Sequence, residues 1–193
     1  MTDHKSILTL LGLGLVTLGA VGAALSVDGD RTLKRGGWLT SRADVVPVTN
    51  ASYDEECGAC HLAYQPGLLP AQAWTQVMEP AALSDHYGDD ASLAETLRAA
   101  LASYLTAHSA DQAGAPRSRA FAVGFDADAG TGLPQITETR YFKRKHDQVP
   151  TSLVSGNPDV GSFSQCNTCH RGAAKGIYND SQIDIPRHGP WED

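Results

Sequence analysis

Sulfur and large flat side chains are scarce in this chain: four cysteines, two methionines and 7% aromatics among 193 residues. With 41% hydrophobic residues as well, a large core built from protein alone is disfavoured. One of the methionines is Met1, so Met78 is the single internal thioether and no site that needs two can be built. Positive charge is also short, with 15 Lys and Arg against 22 Asp and Glu and a net charge of −7. Nucleic acid is therefore a poor partner, because no excess of Lys and Arg is available to displace phosphate counterions. A docking partner with a basic surface suits the balance better.

All four cysteines fall in two copies of one pattern, Cys57-Gly58-Ala59-Cys60-His61 and Cys166-Asn167-Thr168-Cys169-His170. Two thiols three apart followed by histidine is the pattern for covalent attachment of a c-type haem. On one helical turn both sulfurs face the same side and reach the two vinyl groups of one porphyrin, while the histidine turns towards the iron. Two haem c groups follow, held by Cys57, Cys60, His61, Cys166, Cys169 and His170, with iron on His61 and His170. A disulfide framework leaves the two histidines unexplained. Zinc ribbons place their pairs far closer than the 105 residues between Cys60 and Cys166, and a thioredoxin-like motif lacks its strands.

Residues Ile7 to Val27 form 21 positions without a charge, preceded by Lys5. They read as a targeting segment, either a cleaved signal peptide or a retained anchor long enough to span a bilayer. Both outcomes place the mature protein on the periplasmic side of a bacterial inner membrane, soluble or tethered.

The remaining chain divides into a linker or arm at 28–50, a first haem domain at 51–110 and a second at 111–193. The expected fold is mainly α. Pro66 and Pro70 end the first attachment helix early, and a short helix is expected from Ala71 to Met78. Ser92-Leu93-Ala94-Glu95 has the spacing of a capping box and predicts a helix over 91–107. Leu93, Leu97, Leu101, Tyr104 and Leu105 make its apolar stripe. From Ser109 to Leu133 glycine and proline mark a connection, with a short strand at 120–125. Residues 136–142 read equally as extended chain or as the opening of a helix. The second domain is expected to be irregular, with little regular secondary structure.

The face of each iron opposite His61 or His170 decides between electron transfer and ligand chemistry. Met78 lies beside Trp74 and Val77 and reads as core. His86, in a loop 25 residues after His61, and His146, 24 residues before His170, are the candidate distal ligands. Pairing by proximity gives His61 with His86 and His146 with His170, at lower loop-closure cost than the swapped arrangement, which stays open. His108 reads as a helix C-terminal residue, and His188 as exposed tail. With four histidine ligands the chemistry is one-electron cycling, and the chain is an electron-transfer protein. The alternative is a haem enzyme or gas sensor with one five-coordinate iron.

The chain resembles the bacterial dihaem cytochrome c proteins called DHC. The likeness is carried by Glu56 with Cys57 to His61, Leu62-Ala63-Tyr64, Leu68-Leu69-Pro70-Ala71, Asp85 to Leu93, Tyr104-Leu105, Arg144-Lys145-His146, Cys166 to His170 and Ile183-Asp184-Ile185-Pro186. It implies two domains, the first class I cytochrome c-like, both haems ligated by two histidines, and electron transfer in the periplasm. Partners implied are other redox proteins, such as a small oxygen-binding c-type cytochrome, the sphaeroides haem protein, or a membrane cytochrome. This chain departs from the pattern in its long 28–50 segment and its anchor-like N-terminus.

Overall fold

Asn50 opens the first helix by accepting, through its side chain, the Tyr53 amide at 3.0 Å. The computed structural model describes residues 42–123, 125 and 132–191, and α1 spans Ala51–Gly58. The targeting segment at 7–27 and most of the 28–50 linker lie outside the described residues. Among those described, no helix is long and apolar enough to cross a membrane.

The architecture is mainly helical. After α1, the single turn Pro66–Leu68 leads into α2 (Ala71–Val77) and α3 (Pro80–Leu83). The longest helix among the described residues is α4 (Glu95–Ala107), followed by α5 (Pro116–Val123), α6 (Arg140–His146) and the one-turn α7 (Cys166–Cys169). Short single turns fill the second half. A two-residue ribbon closes the chain, with β1 (Asp184–Ile185) antiparallel to β2 (Gly189–Pro190).

Of the expected stripe, Leu97, Leu101, Tyr104 and Leu105 lie on α4, while Leu93 precedes it. Leu101 and Leu105 are sealed at 1% and 0% exposure, and Leu93, Leu97 and Tyr104 pack around them against α2. Burying those two leucines contributes about 1.5–3 kcal/mol each. Trp74 joins this cluster and donates its indole N–H to the Pro66 carbonyl at 2.7 Å, which satisfies its polar end. Met78 is buried there too, as a core side chain. A second cluster gathers Val45, Leu68, Ala110, Phe121, Phe142, Ala173 and Tyr178. Its members come from both halves of the chain, so the 42–50 arm and the Leu62–Leu68 segment reach across to it.

Several local readings are corrected. The capping box does not form: Asp90 takes the Ser92 amide at 2.9 Å, the helix starts at Glu95 with Ala94 as its cap residue, and Glu95 pairs with Arg98 instead. The strand at 120–125 is replaced by α5, whose first helical position is Pro116, where a missing N–H costs nothing. For 136–142 the helical alternative holds. The turn Ile136–Glu138 precedes α6, and the Thr139 side chain accepts the Phe142 amide at 3.3 Å. His108 is the C-cap of α4, its Nδ1 donating to the Tyr104 carbonyl at 2.8 Å, and His188 is exposed beside Trp191.

Candidate haem sites

Each pentapeptide sits where a helix runs out. Cys57 is in the last turn of α1 and Cys60 and His61 follow it, whereas Cys166 and Cys169 begin and end α7 with His170 as the cap. No disulfide joins the thiols, and burial pushes Cys57 and Cys166 up to about 11, with Glu56 adding to the rise at Cys57. Redox-active thiols need the opposite shift. Nor is any group of three or more His, Cys, Asp or Glu gathered to hold a bare metal ion among the described residues.

The His61 ring is held in place by its Nδ1, which donates to the Leu62 carbonyl at 2.7 Å, and by Tyr64, stacked at 4.8 Å and 21°. A carbonyl can only accept, so the proton is on Nδ1 and Nε2 carries the lone pair a metal needs. Opposite stands His86, delivered by a tight turn in which His86 and Asp89 exchange backbone hydrogen bonds at 2.7 and 3.2 Å. Tyr87 and Gly88 occupy its centre with φ of 55° and 103°. A left-handed tyrosine costs about 1–2 kcal/mol. It is retained by its hydroxyl, which donates to the Pro134 carbonyl at 2.5 Å, and its ring centre lies 4.7 Å from that of His86 with the planes 68° apart.

In the second site His146 ends α6. Its Nδ1 donates to the Phe142 carbonyl at 2.9 Å, and the Phe142 ring lies parallel to it at 3.9 Å. His170 lies against Tyr178, with ring centres 5.4 Å apart. Both histidines, Cys166 and Cys169 line one cleft whose other walls are chiefly apolar, including Phe121, Val154, Ile185 and Trp191. Arg117 and Lys145 are the cations on its wall.

The rings that face each other are His61 with His86, at 6.4 Å between centres, and His146 with His170, at 6.2 Å. Two imidazoles on opposite faces of one metal, at about 2 Å per metal–nitrogen bond and about 1 Å more to each ring centre, stand about 6 Å apart. The residues therefore fit an iron between each pair. Among the described residues Nδ1 of His86 and of His170 is buried without a hydrogen-bond partner, so aromatic contacts rather than a backbone carbonyl hold these two rings. Burial and the neighbouring His61 lower the His86 pKa; burial, His146 and Arg117 lower that of His170 to about 4. Both shifts favour the neutral imidazole that a metal ligand requires.

Sequence reasoning missed the residues that join the two sites. The Tyr64 hydroxyl donates to the Ser164 carbonyl at 2.7 Å, two residues before Cys166. Gln65, fully buried, donates to the Ala173 carbonyl at 2.7 Å and accepts the Tyr178 hydroxyl at 2.5 Å. Tyr53 supports this seam by donating to the Tyr64 carbonyl at 2.8 Å. The tail, which carried no strong signal, also reaches the second site, with His170 and Ile183 bridged through their backbones and Ile185 and Trp191 on the cleft wall.

Two facing histidine pairs beside two Cys-x-x-Cys-His pentapeptides, on a mainly helical chain, define a haem protein of the c type. The chain belongs to the dihaem cytochrome c family, DHC, which it matches over residues 53–178. It is similar to the dihaem cytochrome c from Shewanella baltica OS155, at 40% identity and TM-score 0.60 over 74% of this chain and 98% of that one. A dihaem cytochrome c from Rhodobacter sphaeroides is likewise 40% identical, with TM-score 0.56 over 69% of this chain and all (100%) of that one. A structure of DHC purified from Rhodobacter sphaeroides is 38% identical, with TM-score 0.53 over 69% of this chain and 100% of that one. No curated protein matches the chain at a significant level. Membership brings two haem c groups with their iron, and haem-based electron transfer with redox partner proteins.

Proposed function

We propose that this protein is a periplasmic one-electron carrier whose two irons are each held by two histidines, His61 with His86 and His146 with His170. The spacing of the ring pairs, 6.4 and 6.2 Å, carries the reading. Cys57 and Cys60 hold the first porphyrin through thioether bonds, and Cys166 and Cys169 the second. Haem supplies reversible ferric–ferrous cycling when bound.

The protein's own residues do the rest. Leu62 and Phe142 fix one imidazole of each pair through their carbonyls, and Tyr64, Phe142 and Tyr178 keep water from the rings. With imidazole on both faces neither iron is open to a substrate, so the protein transfers electrons and is not an enzyme. Residues 51–110 and 111–193 form the two haem-binding units, joined by the seam at Gln65. The apolar segment at 7–27 directs the chain to the periplasm, cleaved or kept as a tether through 28–50. A net charge of −7 favours partners with basic faces, such as a small oxygen-binding c-type cytochrome or a membrane cytochrome.

The test is low-temperature electron paramagnetic resonance with near-infrared magnetic circular dichroism on the ferric holoprotein. Two low-spin bis-histidine signals are expected, with one lost in His86→Ala and the other in His146→Ala. Either variant keeping both signals sinks the assignment of that histidine.

A further inference from the structure

The two ring pairs differ in one respect that their spacing conceals: the planes of His61 and His86 are 23° apart, those of His146 and His170 are 75° apart. Neither angle is left to chance. In the first pair, the Leu62 carbonyl and the stacked Tyr64 orient His61, and the edge of Tyr87 abuts His86. In the second, Phe142 lies within 12° of parallel to His146 while Phe163 stands at 84° to it, and Tyr178 meets His170 at 65°. Each ring is thus wedged by an aromatic neighbour, and such contacts tune a metal through its ligands.

Ring orientation acts on the iron through π overlap. An imidazole interacts with the one iron d orbital that extends to either side of its plane. Parallel rings act on the same orbital and separate it from its partner, and the single vacancy of low-spin ferric iron gains from that separation. Perpendicular rings act on one orbital each, leave the two nearly degenerate, and give the ferric state no such gain. Parallel planes therefore favour the ferric state more than perpendicular ones do.

Charge points the same way. Around the second pair the acids Asp44 and Asp180 are matched by Arg117 and Lys145, at 3.5 and 3.9 Å. Near the first pair, Glu56 beside Cys57 and Asp89 beside His86 are carboxylates, whose negative charge favours the more positive ferric iron.

We infer that the two sites are electronically unequal by construction, and that the first electron delivered by a redox partner comes to rest at the His146–His170 site. That electron converts ferric to ferrous iron there, and no bond is made or broken. The inference rests on the bis-histidine reading proposed above.

The experiment is a series of cryogenic electron paramagnetic resonance spectra on the holoprotein poised at successively lower potentials. The fully oxidised protein is expected to show one rhombic low-spin signal and one strongly anisotropic signal with a single low-field feature. On reduction the anisotropic signal should fade first. His86→Ala should remove the rhombic signal and His146→Ala the anisotropic one. Two rhombic signals in the wild type, or loss of the rhombic signal first, overturns the inference while leaving bis-histidine ligation intact. A high-spin signal in the oxidised wild type instead overturns the ligation itself.

Discussion

Replacing Gln65 by leucine removes the buried amide that, beside the Tyr64 hydroxyl, ties the Leu62–Leu68 segment to the second site, and its cost can be built up bond by bond. Gln65 is 0% exposed and bonds to the Ala173 carbonyl and the Tyr178 hydroxyl. The Ala173 carbonyl keeps a partner in the variant, because the Gly176 amide also donates to it at 2.9 Å. Losing the Gln65 bond there costs the ordinary net amount, about 0.5–1.5 kcal/mol. The Tyr178 hydroxyl, on a residue only 8% exposed, is left with no acceptor at that position and carries a desolvation penalty of about 1–3 kcal/mol. Together the loss is about 1.5–4.5 kcal/mol, a large part of the 5–15 kcal/mol typical of a folded domain. Urea unfolding of the holoprotein, followed by far-ultraviolet circular dichroism, measures it. The double variant Gln65→Leu with Tyr178→Phe removes both partners, so it should be more stable than the sum of the single losses predicts, by about 1–3 kcal/mol. A Gln65→Leu loss below about 1 kcal/mol, or single losses that simply add, refutes the reasoning.

Gly176→Ala tests the arm. Gly176 has φ of 69°, its carbonyl accepts the Asp44 and Val45 amides at 2.8 and 3.1 Å, and an added Cβ would stand 2.1 Å from the Val45 carbonyl oxygen. The arm must move, and trypsin cleavage after Arg42 should become markedly faster while α1 and α4 persist; an unchanged cleavage rate would show that the arm is not held there. Asp111 tests pH. Burial raises its pKa, but the Ser109 hydroxyl at 2.7 Å and the Ala71 amide at 2.9 Å outweigh this and hold it below the ordinary carboxylate value. A depressed folded value means stability present above the unfolded pKa and lost as pH falls through the folded one. Asp111→Asn should therefore be less stable near neutrality and show a shallower acid limb in thermal melts between about pH 5 and 2; identical limbs would count against it.

The chemistry of the sites was legible because it is local. Cys57 to His61 and Cys166 to His170 declare themselves by spacing, and the shortage of methionine throws the choice of distal ligand onto His86 and His146. The α4 stripe was legible for the same reason, since a period of three to four needs no distant partner. What could not be read is set by competition or by distance. Ser92 had the right spacing to cap α4, but Asp90, two residues earlier, captured its amide. Tyr64 and Tyr178 gave no sign of flanking the histidines, because the bonds that place them cross 100 and 113 positions of sequence. The left-handed Tyr87 carried a faint signal in the following Gly88, since a two-residue turn with both centres at positive φ favours glycine there.

The seam at Gln65 has a consequence for how the protein is made. Its ties run from Tyr64 to Ser164, from Gln65 to Ala173 and from Asp44 to Tyr178, so each waits for a residue at least 100 positions later in the chain. During synthesis the first pentapeptide emerges long before those residues, and its local supports, Asn50 on α1 and the packing of α2 against α4, need nothing from the C-terminal part. Non-local contacts close last, after the loop entropy has been met. The amide of Gln65 and the hydroxyl of Tyr64 thus stay in water until the second half has folded around its own cofactor, and a chain stalled before that point shows an open polar edge. Arrival of Ser164, Ala173 and Tyr178 is therefore the step that closes the seam.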